Sequence, residues 1–309
     1  MIWNGVLPAT TTPFDSNLAV DHNVLFQHTS WLLDNGCAGL VMLGSLGEGA
    51  TLEHDEKLAI LKTALKASDK KQTPVVASIS SLSTAAAVRL AKEAEALGCT
   101  GLMVLPPYVY STDWREMKAH IAAVLSATKL PCMLYNNPVA YTTDYLPEQL
   151  AELAGEFENL EAVKESSTDV RRITAIRAIL GDRLAICTGV DDAIVEAVAA
   201  GSRGWVAGVV NAFPAESVEL YNLAVADRTV EAFELYRWFL PLLRLDTVPK
   251  FVQLIKWVQG ETGTGIARVR PPRLALEGTE LEAAKKVLEA ALANPPQCKS
   301  TPFPALQEA

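Results

Sequence analysis

No run of apolar residues in this chain approaches the length needed to cross a bilayer. The start, Met1-Ile2-Trp3-Asn4-Gly5, lacks a basic region followed by an apolar stretch, so a soluble, unprocessed cytoplasmic protein is expected. Cysteine is sparse: Cys37, Cys99, Cys132, Cys187 and Cys298 are odd in number, scattered and never paired as CxxC, which argues against a disulfide framework or a zinc site. Four of them lie in or beside apolar runs, where cysteine serves as a small buried hydrophobe. Histidine is scarcer still. His22, His28, His54 and His120 all fall in segments of helical pattern, so neither a histidine triad nor a zinc hydrolase is suggested. Positive charge is also in deficit, 27 Lys+Arg against 36 Asp+Glu for a net charge of -9, and a basic face for nucleic acid or an anionic membrane is not expected. That leaves a small metabolite as the partner. Were it an anion, backbone amides and hydroxyls would have to attract it against the global field.

Apolar residues in a regular order are what the chain does have. Half of its 309 residues are apolar, enough for one large α/β domain or two smaller ones. Up to about Val225, short β-rich runs alternate with longer helical patterns, the mark of successive βα units around a parallel sheet. Eight candidate strands cover residues 6–10, 39–43, 74–78, 101–105, 131–135, 160–164, 184–188 and 204–207. They are nearly continuous apolar segments, as strands covered on both faces require. Thr51-Leu52-Glu53-His54-Asp55-Glu56 and Ser83-Thr84 open helices, while Gly36, Gly98 and Gly201 close them. Eight such units predict a (β/α)₈ TIM barrel over residues 1–225. Three amphipathic stretches, 229–245, 248–260 and 278–292, predict a C-terminal helical extension over 226–293, and the proline-rich end, 294–309, is expected to be poorly ordered.

In such a barrel the C-terminal ends of the strands converge on one mouth. The first delivers Thr10-Thr11-Thr12, the second Gly44-Ser45-Leu46-Gly47-Glu48 and the fourth Pro106-Pro107-Tyr108. The fifth delivers Tyr135-Asn136-Asn137-Pro138, the sixth Lys164, the seventh Gly189-Val190-Asp191-Asp192 and the eighth Ala207-Gly208. Lys164 carries the most information. It is either a solvated rim lysine, or an amine packed in apolar surroundings whose lowered pKa lets it attack a carbonyl and form a Schiff base. Strand alternation puts Leu160, Ala162 and Lys164 on one face and Met133 and Tyr135 on another, both read as barrel lining, with Glu161 pointing outward. Tyr135 is then a core aromatic or a proton donor beside the amine. The glycines after strand two either make a tight turn or also free backbone amides for a carboxylate. Asp191 and Asp192 are expected to cap the following helix.

Gly44-Ser45-Leu46-Gly47-Glu48, Tyr135-Asn136-Asn137-Pro138, Val163-Lys164-Glu165-Ser166 and Gly189-Val190-Asp191-Asp192, in this order, resemble the motifs of the dihydrodipicolinate synthase/N-acetylneuraminate lyase family, and the likeness runs through the whole barrel. The resemblance implies a Schiff-base aldolase-type lyase that needs no metal or organic cofactor. It implies Lys164 as the imine-forming lysine, Tyr135 as the proton shuttle, and Ser45 as the hydroxyl that relays to Tyr135 and helps bind the substrate carboxylate. Tyr108 matches a tyrosine lent to a neighbouring subunit, which calls for a dimer or a dimer of dimers. The substrate-binding set it implies is Thr10, Gly44, Leu46, Gly47, Val206, Ala207 and Gly208, with the Val206 carbonyl facing the lysine. Two departures stand out. Ala140 occupies the position where the synthases carry an arginine for a second carboxylate, and Leu46 replaces a hydroxyl. Gly-Ser-Leu-Gly-Glu, Lys-Glu-Ser-Ser, Trp205-Val206-Ala207-Gly208 and Val269-Arg270-Pro271-Pro272-Arg273 look more like a subgroup that includes 1-pyrroline-4-hydroxy-2-carboxylate deaminases. Expected, then, is an enzyme for a small 2-oxo acid or its cyclic imine. Open beside it stand an aldolase or dehydratase for 2-keto-3-deoxy sugar acids, a dihydrodipicolinate synthase disfavoured by Ala140, and a binding protein for 2-oxo acids without turnover.

Overall fold

The computed structural model describes residues 3–107 and 113–305. Its first half runs β1 (Gly5–Pro8), α1 (His22–Asp34), β2 (Leu40–Met42), α2 (His54–Ser68), β3 (Val75–Ile79), α3 (Thr84–Leu97), β4 (Gly101–Val104), α4 (Trp114–Ser126) and β5 (Cys132–Asn136). Then come α5 (Pro138–Tyr141), α6 (Pro147–Glu156), β6 (Leu160–Glu165), α7 (Arg171–Leu180), β7 (Ala185–Thr188), α8 (Ile194–Ala199), β8 (Gly204–Ala207) and α9 (Pro214–Val225). The extension is α10 (Thr229–Leu243), α11 (Phe251–Glu261) and α12 (Gly278–Ala293). All eight expected strands form, in parallel, in the order β1-β8-β7-β6-β5-β4-β3-β2. A parallel bridge from Ala9 to Val41 brings β1 to β2 and nearly closes the barrel.

Strand alternation divides the apolar residues into two layers. Leu7, Val41, Val76, Met103, Met133, Tyr135, Ala162, Cys187 and Val206 fill the barrel, while Leu40, Leu102, Leu134, Val163, Ile186 and Trp205 pack outward against the helices. One strand breaks the alternation. Cys132 pairs with Leu160 but Met133 pairs with Ala162, so β6 carries an extra residue at Glu161. The bulge sends Leu160 to the outer layer, and the expected lining run of Leu160, Ala162 and Lys164 keeps only its last two members. Glu161 does not point outward either: it accepts a hydrogen bond from the indole of Trp3, a member of the inner layer, at 3.2 Å.

Helix ends follow local chemistry. The Ser83 hydroxyl accepts from the Ala86 amide at 3.3 Å, and Gly36, Gly98 and Gly201 have φ of 92°, 96° and 108°. The second helix starts later than its expected signal, because Thr51 belongs to a separate turn and Glu53 forms the capping box with Glu56. The four strand-associated cysteines are buried as expected. The chain end differs from expectation: Thr301 takes hydrogen bonds from the Trp31 indole at 2.7 Å and gives one to Asn35 at 2.8 Å, and Phe303 meets Trp31 edge-on at 5.1 Å. Those contacts tie the described part of the end to α1. No described helix is long and apolar enough to cross a membrane.

The extension is joined to the barrel mouth by a buried ion pair. Lys256 of α11 bonds the Glu48 carboxylate and the Thr12 carbonyl, each at 2.8 Å, with both charged side chains fully buried. The Arg270 amide donates to the other Glu48 oxygen at 3.0 Å. Such a pair adds little net stability over an apolar substitute, but removing one partner strands a charge. Replacing Glu48 with alanine is therefore expected to cost ~3–5 kcal/mol in urea unfolding. A loss below about 1 kcal/mol, the worth of an exposed pair, would show that Lys256 finds another partner.

Candidate active site

Lys164 lies in register between Tyr135 of β5 and Cys187 of β7. Only 6 % of it is exposed, and its Nζ stands 4.2 Å from the centroid of the Tyr135 ring. Burial lowers the amine from its ordinary 10.5 to about 8, while the carboxyls of Asp246 and Asp191 and the Cys187 thiol pull it back up. The rim-lysine alternative is thereby excluded. Room for the stem depends on Gly189, since a Cβ there would stand 2.2 Å from Lys164 Cε and 2.2 Å from Ser166 Oγ. Glycine in the strand-seven turn is a steric requirement of the lysine.

Tyr135 is buried, and its phenol accepts from the Asn137 amide at 3.0 Å. Burial pushes its pKa up to about 12, against the hydrogen bond from Asn137. Ser45 does not reach it as expected. The Ser45 hydroxyl instead bonds the Tyr141 hydroxyl, and the Tyr141 ring meets Tyr135 edge-on at 5.7 Å. Tyr141 is thus inserted between the two expected partners. It sits at the end of α5, a single turn started by Pro138 and capped by the Asn137 side chain on the Ala140 amide at 3.0 Å. Ala140 itself is exposed.

Behind these side chains the ends of β5 and β6 are locked together. Asn136 donates to Glu165 at 3.0 Å and to Asp144 at 3.1 Å, and Asp144 pairs with Arg172 at 2.9 Å. The turn after β2 is clamped by the Thr12 hydroxyl on the Gly47 carbonyl at 2.7 Å. Gly47 and Gly49 are sterically required: a Cβ would stand 2.8 Å from the Thr10 carbonyl and 2.1 Å from that of Leu43, respectively. Within this turn the Ser45 and Leu46 amides donate no hydrogen bond to the described residues, so they are free to bind a carboxylate. The Leu46 side chain packs in the outer layer, so its apolar surface belongs to the core and not to a pocket wall.

The remaining expected residues fall as follows. Thr10 is buried with its amide on the Val41 carbonyl at 2.9 Å. Gly44 faces Ser78, whose buried hydroxyl has no partner among the described residues. The Val206 side chain is in the inner layer, whereas Ala207 faces outward and its carbonyl accepts from the Ala9 amide at 2.8 Å. Tyr108 lies outside the described residues.

Two acids enter in ways the sequence does not announce. Asp191 does not cap the helix that follows it. Fully buried, it accepts from the Trp205 indole at 2.8 Å and from the amides of Gly208 and Val209 at 3.0 and 2.9 Å, and so holds the end of β8. Asp246 comes from the turn between α10 and α11. Its buried Oδ1 has no hydrogen-bond partner among the described residues, and it occupies the space a Gly208 side chain would need, 2.0 Å from that Cβ position. Burial raises its pKa well above the usual carboxylate range, and the neighbouring Asp191 adds to this.

An amine in this setting should lose its proton early. Modification of Lys164 by an amine-selective acylating reagent, followed by peptide mapping, is expected to speed up with pH and level off just above about 8. A rate still climbing near the ordinary lysine value would show a solvated ammonium.

Known proteins share this architecture. The family model described as "Dihydrodipicolinate synthetase family" matches residues 3–291. A 4-hydroxy-tetrahydrodipicolinate synthase of Mesorhizobium japonicum is 32% identical over 285 residues, covering 91% of this chain and 97% of that protein. The structure of a 4-hydroxy-tetrahydrodipicolinate synthase from Methylacidiphilum fumariolicum superposes with a TM-score of 0.90 at 26% identity, over 94% of this chain and 96% of that one. A dihydrodipicolinate synthase structure from Thermotoga maritima gives 0.88 at 26% identity, over 94% and 99%. The chain belongs to the dihydrodipicolinate synthetase family, whose members are class I Schiff-base lyases.

Proposed function

We propose that this enzyme deaminates 1-pyrroline-4-hydroxy-2-carboxylate, with Lys164 as its imine-forming nucleophile. The observation that carries the reading is the buried amine of Lys164 over the Tyr135 ring, with the Asp246 carboxyl acting on it and alanine, not a cation, at position 140. Relatives named 4-hydroxy-tetrahydrodipicolinate synthase favour a synthase instead. Against this, a substrate with a second carboxylate finds no cation at position 140. A hydroxylated ring with one carboxylate suits the mouth better. Soluble cytoplasmic chemistry and a dimer or dimer of dimers, with Tyr108 lent across the interface, belong to the same reading.

The sequence of events follows from the groups present. The neutral amine of Lys164 adds to C2 of the ring imine, and expulsion of the ring nitrogen opens the ring with the substrate held as a protonated imine on Lys164. The Ser45 and Leu46 amides and the Ser45 hydroxyl bind the C2 carboxylate. Tyr135 moves protons at C3, with Tyr141 and Ser45 as its relay. The C4 hydroxyl leaves as water, the double bonds shift to an imine at C5, and hydrolysis of both imines releases 2-oxoglutarate semialdehyde and ammonia. The protonated imine is the electron sink throughout.

Product analysis across hydroxypyrroline carboxylate, keto-deoxy sugar acids, sialic acid, and aspartate semialdehyde plus pyruvate tests the choice. Ammonia and the semialdehyde are expected from the first alone. Pyruvate release would indicate an aldolase, and a cyclic product from aspartate semialdehyde would restore the synthase reading. Lys164→Ala is expected to abolish turnover, and Tyr135→Phe to lower kcat by roughly 10²–10⁴-fold. Tyr141→Phe should also lower kcat, and an unchanged rate would remove it from the relay.

A further inference from the structure

The carboxyl of Asp246 is unusual in three ways at once. It belongs to the C-terminal extension and not to a barrel strand, its Oδ1 is buried without a partner among the described residues, and a glycine is needed at 208 to admit it. The groups electrostatically coupled to it come from separate elements: Lys164 at the end of β6, Tyr135 of β5, and Asp191 and Asp192 after β7. Arg244, in the same turn as Asp246, pairs with Asp192 at 3.5 Å. No described hydrogen bond explains why a carboxyl should be held there. An acid left without a donor, beside an amine that becomes a cation on forming an imine, is placed to act on whatever that amine holds.

We propose that Asp246 is the acid that delivers a proton to the departing C4 hydroxyl of the Lys164-bound substrate. This rests on the substrate reading given above. Once C3 has lost a proton, the neutral enamine pushes its electron pair from nitrogen through C2 and C3. The C3–C4 double bond forms, the C4–O bond breaks, and the oxygen takes the Asp246 proton to leave as water. Nitrogen is then a cationic imine and Asp246 an anion, so the step creates a charge pair where neither charge stood alone. Water later hydrolyses that imine, and the proton released returns to Asp246.

Asp246→Asn keeps the shape and removes the transferable proton. With pyruvate in deuterium oxide, exchange of the methyl protons needs only Lys164 and the Tyr135 relay, and is expected to stay within about threefold of wild type. Water loss from hydroxypyrroline carboxylate is expected to fall by roughly 10²–10⁴-fold, and borohydride should then trap a Lys164 adduct that still carries its hydroxyl. Equal dehydration by the variant would overturn the assignment, and so would a parallel loss of exchange and dehydration, which is what a residue acting only through Lys164 would give. If wild type exchanges pyruvate but leaves hydroxypyrroline carboxylate untouched, the substrate reading falls, and this step with it. Should Asp246→Asn not fold, the wild-type enzyme decides: kcat should decline as pH rises and the acid loses its proton, and a level profile would overturn the proposal.

Discussion

An ammonium loses most of its hydration when it is walled in by apolar side chains, and the mouth of this barrel is organised around that penalty. Lys164 sits among Tyr135, Cys187 and the inner apolar layer, so its proton comes off near pH 8 instead of at the ordinary 10.5. The neighbouring glycine, the locked ends of β5 and β6, and the flanking phenol all follow from having to hold that amine still. A fully buried acid and a partly buried one stand near it. Asp191 spends its hydrogen-bonding capacity on the end of β8, whereas the buried Oδ1 of Asp246 has no partner among the described residues. That difference separates an acid that shapes the site from one that can exchange a proton.

The C-terminal extension is therefore part of the chemistry as well as a cover for the barrel. α11 sends Lys256 under the turn after β2, where Glu48 receives it, and the segment just before α11 sends Asp246 over the end of β8. The two contacts straddle the mouth.

Much of this was legible in the chain. Eight apolar runs at regular spacing give eight strands, because a strand covered on both faces must be apolar throughout. The residues after them, Ser45, Tyr135, Lys164 and Gly189, mark the mouth for the same geometric reason. Other features escaped for identifiable causes. The bulge at Glu161 depends on how β5 and β6 pair, and alternation within one strand carries no trace of it. Tyr141 gives no signal of its own in the sequence, and only the single turn of α5 brings its hydroxyl to Ser45. Asp246 lies 82 positions from Lys164, in the short gap between two amphipathic stretches, where an acid ordinarily faces water. One signal was available for it: Gly208, at a strand end, is a residue whose missing side chain leaves space for another.

The central claim is that the amine at position 164 forms the covalent bond. Borohydride reduction of the wild-type enzyme with pyruvate, followed by tandem mass spectrometry of the digest, tests it most directly. The account predicts a stable adduct confined to the peptide carrying Lys164. An adduct on any other lysine, or none at saturating pyruvate, would contradict it.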